Sequence, residues 1–531
     1  MATTLRYDTR NPAGRSVRLN LAPRLAVAAL LGLGALAGGA GQAHAATQIS
    51  VNATQLLSTV APSAVGVNSP VWDTHLRDAA VPGLLKAAGT NLMRFPGGSY
   101  ADMYHWENGG SITKGFDGYI APGNSFDNFM KSDVMAAGAG AMVTVNYGSN
   151  AAGTAGGDPG EAAAWVGYAN TQQHYGVRYW EIGNEVYGNG YYGSDWEVDL
   201  HSLARGKARV GDPNLSPATY AQNVKQFSQQ MKAADPSAQI GIVLTTPGFW
   251  PDGVTRVGKT KVQAWNPTVL AGACQYADFA IVHWYPETPG NESDARLLAK
   301  PGTIAGEVAA LHSLFSTYCG SHQLGIMVTE TNSVPYSPGK QTTNLINGLF
   351  TAGEELAWLQ NGASNVTWFD LHNGAELNNT QENGSLYGTL PYGDYGMLAN
   401  GSHVTDKKTH QTYYEPSANT PFPSYYGLQV DAPALVPGSQ FVQVTSSSSA
   451  LQVFATIGGG GLTLVVINTD GANAYTFSPT FSGFLPVSGT VTSFGSAQPT
   501  PAASSLTVQN FTFTYTLPAY SMAVFSLAPH L

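Results

Sequence analysis

Charge is scarce in this 531-residue chain: Asp, Glu, Lys and Arg together make up 11%. That excludes the disordered and coiled-coil classes, both of which depend on abundant charged residues. Basic residues are the scarcer sign, 24 against 34 acidic, for a net charge of −10. A nucleic-acid binder needs a basic face, so neither nucleic acid nor another polyanion is an expected partner. Cysteine is limited to Cys274 and Cys319, too few for a disulfide scaffold. Neither they nor the twelve histidines show metal-ligand spacing such as H-E-x-x-H or C-x-x-C, so no metal and no cofactor are expected. There is no G-x-S-x-G nucleophile elbow. After the N-terminal region no apolar run reaches the ~20 residues of a membrane-spanning helix, so no membrane partner is expected.

The N-terminus has the form of an address. Arg6, Arg10, Arg15, Arg18 and Arg24 precede an apolar run over 25–37, and Ala43-His44-Ala45 comes after it. Basic region, apolar region and A-x-A site together predict a signal peptide over 1–45, cleaved near Ala45, and hence secretion to the periplasm or outside. Without those residues the balance is 19 basic to 33 acidic groups, or −14.

Short apolar runs alternate with helical stretches over 64–425. The runs are 64–67, 91–95, 141–146, 179–183, 239–244, 279–284, 325–329 and 366–371. Near-continuous apolar runs of this length suit parallel strands covered on both faces. Between them, Asp158-Pro159 and Ser216-Pro217 are helix starts, the second leading Tyr220, Val224, Phe227 and Met231 along one face. Eight such runs with helices between them predict an α/β fold, a (β/α)8 TIM barrel, with an open doubly wound sheet as the alternative. Over 426–531 the texture changes to strand–turn–strand, as at 450–457, 458–461 and 462–468, which predicts a C-terminal antiparallel β-sandwich. A strand from 46–63 can join it. In a parallel barrel Cys274 and Cys319 fall near the N-terminal ends of consecutive strands, where a disulfide and two buried thiols are both compatible with the sequence.

Catalytic groups in such a barrel sit at the C-terminal strand ends. The fourth run ends Trp180-Glu181-Ile182-Gly183-Asn184-Glu185, and the seventh ends Val328-Thr329-Glu330. Two carboxylates flanking a cleft are what glycosidic bond cleavage needs, one to protonate the leaving oxygen and one to attack or activate water. Either glutamate alone reads as a solvated loop acid; two at matching strand ends weigh against that.

These residues resemble the acid/base and nucleophile of clan A retaining glycoside hydrolases. The segment from Arg94-Phe95-Pro96-Gly97-Gly98 to His105-Trp106 is similar to the second-strand segment of family 51 α-L-arabinofuranosidases, and Ala280-Ile281-Val282-His283-Trp284-Tyr285 to their sixth-strand motif. The resemblance implies Glu185 as acid/base and Glu330 as nucleophile. It implies that Arg94 and Tyr285 hold Glu330 and that Asn184 binds the sugar 2-hydroxyl. A cation beside Glu330 favours its charged form, whereas Glu185, which must carry a proton, is expected in a less polar setting. His283 shares a strand face with Tyr285 and reads equally well as a site residue or a satisfied core histidine. Of the aromatic residues near the strand ends, Trp368 is expected to floor the sugar site.

The chain departs from the family pattern in two places. The first-strand segment from Gly66 to Trp72 has no acidic residue, and Thr329 and Thr331 flank Glu330 where the family usually has Asp and Trp. The expected function is a secreted retaining glycosidase on plant or microbial oligo- or polysaccharide, α-L-arabinofuranosidase-like. The alternatives are another clan A glycosidase (β-xylosidase, β-glucuronidase or endo-β-glucanase) and a non-catalytic carbohydrate-binding protein. The segment Gly253–Thr260 fits the phosphate-loop pattern, but no strand runs directly into it and Pro267 interrupts the stretch where a helix would have to open.

Overall fold

The structure, a computed structural model, describes residues 47–377 and 386–530. The signal-peptide reading of 1–45 lies outside the described residues.

Eight parallel strands close a barrel: Val65–Asn68, Leu92–Phe95, Gly140–Val145, Tyr179–Ile182, Gln239–Val243, Phe279–Trp284, Gly325–Thr331 and Asn365–Trp368. Each coincides with one expected apolar run to within a few residues. The helices expected from their caps also form. Asp158 accepts from the N–H of Gly160 ahead of Pro159–Val166, and Ser216 accepts from Thr219 ahead of Pro217–Ala234. Tyr220, Val224, Phe227 and Met231 of the second helix are buried against the barrel.

The C-terminal region is one nine-stranded sheet. Its order is Gln498–Leu506, Pro486–Gly495, Ser521–Pro529, Gly461–Asn468, Leu451–Gly458, Gln440–Ser446, Thr47–Thr59, Tyr475–Ser482 and Tyr515–Leu517. The N-terminal strand enters it, and the sheet is antiparallel as expected except at one pairing. Thr47–Thr59 runs antiparallel to Gln440–Ser446 and parallel to Tyr475–Ser482. It reaches the sheet from the far end of the chain, so no hairpin dictates its direction. The strand Gly461–Asn468 shows how two cores are served: Leu464 and Val466 enter the sheet's own core, while Val465 and Ile467 join the core continuous with the barrel.

The helices Leu345–Gln360 and Pro423–Asp431 lie between barrel and sheet. Between them Glu355 and Asp431, both at most 1% exposed, bring their carboxyls together, and none of the four oxygens finds a donor on another described residue. Burial holds both carboxyls well above their usual range, so this pair retains a proton that the unfolded chain releases. The folded state therefore binds more protons. Its stability from this pair is complete below the ordinary carboxylate range, about pH 4, and is lost as pH rises through the elevated folded values. The melting temperature is expected to be higher at pH 5 than at pH 8, and Asp431→Asn to flatten that slope. A melting temperature that climbs over the same interval would contradict the account.

Cys274 and Cys319 are joined by a disulfide, with Cα atoms 5.6 Å apart. They lie just before the strands Phe279–Trp284 and Gly325–Thr331, at the end of the barrel away from the strand C-termini. The phosphate-loop look-alike forms a hairpin, Arg256–Val257 paired with Thr260–Lys261. No strand leads directly into it, but a helix, Trp265–Ala273, does follow and contains Pro267 in its first turn, so the proline does not interrupt it.

Candidate active site

The C-terminal ends of the barrel strands bring six of the seven expected site residues together. Arg94, on the second barrel strand, is 1% exposed and makes four polar contacts. Its Nη1 donates to Glu330 Oε1 at 2.7 Å and to Asn68 Oδ1 at 2.9 Å, its Nε to Glu181 Oε2 at 2.7 Å, and its Nη2 to Asn184 Oδ1 at 2.9 Å. Burial disfavours the guanidinium charge, but the carboxylates of Glu181 and Glu330 outweigh it and hold Arg94 firmly cationic. The second oxygen of Glu330 accepts from the Tyr285 hydroxyl at 2.8 Å.

Glu185 is reached from the fourth barrel strand through a tight turn. Gly183 has φ +77°, and a Cβ there would lie 2.7 Å from both Tyr147 Cβ and Val186 Cγ2, so only glycine fits. Glu185 itself has φ +35°, a left-handed conformation that a residue with a side chain adopts only under constraint. Three groups constrain it. His283 Nδ1 lies 2.9 Å from its Oε1, the Tyr187 hydroxyl donates to Oε1 at 3.1 Å, and Trp196 Nε1 donates to Oε2 at 2.9 Å.

This setting corrects the expectation of a less polar environment for Glu185. Burial alone would raise its pKa, but the hydrogen bond and charge of His283, with the Trp196 and Tyr187 donors, bring it below the usual value. The same contact favours the proton on the imidazole side of the pair. Burial opposes the charge on His283, yet Glu330 and Glu185 together raise its pKa. His283 Nδ1 is also 3.5 Å from Glu330 Oε2, and its Nε2 is 3.2 Å from Thr329 Oγ1. Of its two readings, the structure therefore places His283 between the two carboxylates.

Glu185, His283 and Glu330 each offer one ligand-type atom, all within 4.8 Å of one another. The donor set suits shared protons better than a metal ion, because Glu330 already pairs with the Arg94 guanidinium and His283 is itself drawn toward its charged form.

Trp368 is the residue that does not join. Its neighbour Thr367 turns inward against Gly66, so strand alternation turns Trp368 outward, where it packs beside Phe350 of the helix Leu345–Gln360. It is a wall residue of the helix layer and does not floor a sugar site. Trp180 and Trp284 are placed the same way, against Trp165 and Phe350. The aromatic groups that do stand near Glu185 are Tyr187, Trp196 and Trp250, the last 38% exposed and 5.4 Å from Trp196 between ring centroids.

Sequence reasoning missed several members. Glu181, fully buried, shares Arg94 with Glu330 and accepts from Thr144 Oγ1 at 2.5 Å. A glutamate inside an otherwise apolar strand must be paired, which was the available signal. Asp102 belongs to the motif beginning at Arg94. Its Oδ1 accepts from the N–H groups of Tyr147 and Gly148 and its Oδ2 from that of Asn184, and burial pushes its pKa up to about 8. Glu197 accepts from Asn184 Nδ2 at 3.0 Å and from Ser99 Oγ at 2.6 Å. Nothing in the local sequence marks it.

No protein-family model matches the chain. An intracellular exo-α-(1→5)-L-arabinofuranosidase of Bifidobacterium longum is 25% identical over 228 residues, 40% of this chain and 35% of that protein. A probable α-L-arabinofuranosidase C of Aspergillus fumigatus is 24% identical over 187 residues, 29% of this chain and 30% of the relative. The match thus spans about a third of the length of these curated relatives. Among solved structures, the α-L-arabinofuranosidase of Thermotoga maritima aligns with a TM-score of 0.64 at 17% identity, covering 90% of this chain and 99% of that one. A family 44 xyloglucanase of Paenibacillus polymyxa aligns with a TM-score of 0.60 at 13% identity, covering 91% and 99%. In fold over nearly its whole described length, and in sequence over a part of it, the chain resembles the family 51 α-L-arabinofuranosidases of clan A.

Proposed function

We propose that this chain is a secreted retaining glycoside hydrolase, α-L-arabinofuranosidase-like, acting on plant or microbial oligo- or polysaccharide. The observation that carries the reading is the pairing of Glu185 and Glu330, with an oxygen of each within 4.8 Å of the other and His283 between them. Retaining enzymes hold their carboxyl groups about 5–5.5 Å apart, whereas inverting enzymes leave about 6.5–9.5 Å for a water molecule.

Glu330 attacks the anomeric carbon while the bond to the leaving oxygen breaks. The proton shared by His283 and Glu185 is delivered through Glu185 to that oxygen. Esterification then removes the charge of Glu330, one of the two anions that favour the proton on His283. Glu185, now a carboxylate, takes a proton from water, whose oxygen attacks the same carbon and frees Glu330. Arg94 and Tyr285 orient Glu330 throughout, and Asn184, held by Arg94 and Glu197, binds the sugar 2-hydroxyl. Tyr187, Trp196 and Trp250 offer ring faces on the leaving-group side, where sugar C–H faces can pack.

The test is nitrophenol release from aryl α-arabinofuranoside, β-xyloside, β-glucoside and β-glucuronide by the chain lacking residues 1–45. Turnover of the arabinofuranoside that is abolished in Glu330→Gln is expected. Turnover of another glycoside alone would replace the sugar in this reading. Inactivity on every aryl glycoside and on arabinan, arabinoxylan and β-glucan would leave the carbohydrate-binding alternative.

A further inference from the structure

The loop after the fourth barrel strand folds back on itself. Trp196 and Glu197 both donate backbone N–H groups to Gly188 O, at 2.9 and 3.1 Å, and Asn189 bridges Asp195 in antiparallel fashion. The returning limb is anchored from outside by Arg209, whose Nη1 donates to Asp195 Oδ1 at 2.8 Å. The close approach leaves room only for glycine at 188, where a Cβ would lie 2.4 Å from Trp196 Cε2. Two adjacent side chains of this limb thereby meet two adjacent residues of the outgoing limb. Trp196 Nε1 donates to Glu185 Oε2, and Glu197 Oε1 accepts from Asn184 Nδ2.

We propose that Trp196 and Glu197 form a clamp of positioning residues, one holding the Glu185 carboxyl at its leaving-group orientation and the other fixing which way the Asn184 amide faces. This rests on Glu185 being the acid/base. Three features support the clamp. Glu185 sits in a left-handed conformation that needs an external hold. Asn184 presents Oδ1 to Arg94 and Nδ2 to Glu197, so the amide is polarised from both sides and a flip would set donor against donor. Glu197 is 3% exposed, and its Oε2 has no partner among the described residues. Burial and the charges of Asp102 and Glu185 raise its pKa, which favours its neutral form and lessens its repulsion of Glu185.

The clamp separates from a purely structural role by its dependence on the leaving group. General acid catalysis matters most when the departing oxygen is a poor leaving group. Trp196→Phe, which keeps a ring and removes the N–H donor, is expected to lower kcat/KM by about 10–100-fold on an alkyl or sugar aglycone but only about threefold on a dinitrophenyl glycoside. With one donor to the Glu185 anion gone, the alkaline limb of the pH profile moves upward. Benzothienylalanine at position 196, isosteric but without the N–H, serves if phenylalanine unfolds the loop. Glu197→Ala is expected to lose about 10–100-fold, and Glu197→Gln, which mimics the neutral acid, to stay within about threefold of the parent.

Equal losses on both leaving groups with an unmoved pH limb, or Glu197→Gln as impaired as Glu197→Ala, would overturn the clamp. Azide rescue of Glu185→Ala is measured alongside, since it reports on the acid/base assignment without reference to position 196. Where rescue occurs, the clamp stands or falls on the variants above. Where it does not, the assignment of Glu185 fails and the clamp falls with it.

Discussion

Glu330→Gln is expected to lower kcat/KM by about 10⁴-fold or more while the chain still folds. Glutamine retains a carbonyl oxygen for the Arg94 donor and turns its amide N–H toward the Tyr285 oxygen, but it cannot form an ester with an anomeric carbon. The fold should survive because Arg94 does not become an uncompensated buried cation: Glu181 still accepts from its Nε at 2.7 Å. Circular dichroism checks the fold, and steady-state hydrolysis of the best aryl glycoside checks activity. Residual activity within tenfold of the parent would remove Glu330 from the role of nucleophile. The nucleophile would then have to be sought among Glu181, Glu197 and Asp102, the other acids around Arg94 and Asn184.

The second large effect is that of Glu185→Ala, and it is selective. Loss of the general acid is expected to cost about 10²–10⁴-fold on substrates with poor leaving groups and much less on dinitrophenyl glycosides, whose departure needs no proton. The cavity left at position 185 opens onto the glycosyl-enzyme, so added azide is expected to restore turnover and give a glycosyl azide of the same anomeric configuration as the substrate. His283 enters this prediction through the structure: its imidazole is the partner that lowers the Glu185 pKa. In Glu185→Ala that imidazole keeps only Glu330 as an anionic neighbour at 3.5 Å. A uniform loss across leaving groups, with no azide product, would assign Glu185 a binding role instead.

Which features the sequence disclosed and which it hid depends on how each is encoded. The barrel strands were legible because each is a run of apolar residues covered on both faces, and that pattern is local. Glu185 and Glu330 were legible because strand ends point at the barrel mouth. Trp368 misled because an aromatic residue at a strand end invites a ligand role. Alternation contained the correction: His283, Glu181 and Thr367 turn inward, and the tryptophan beside each turns to the helices. The Glu185 environment was not legible, since beyond Tyr187, two residues on, its partners are Trp196 from across a refolded loop and His283 from two strands away in the barrel. Nor was the parallel pairing of the strands Thr47–Thr59 and Tyr475–Ser482, which joins segments from opposite ends of the chain.

The most direct test of the central claim is the configuration of the sugar first released, monitored by proton NMR during hydrolysis of the aryl glycoside that the chain turns over. A double displacement through Glu330 gives, before mutarotation, the same anomer as the substrate, as the close approach of Glu185 and Glu330 requires. Initial release of the opposite anomer would mean that water attacks directly, and the assignment of Glu330 as nucleophile would be wrong.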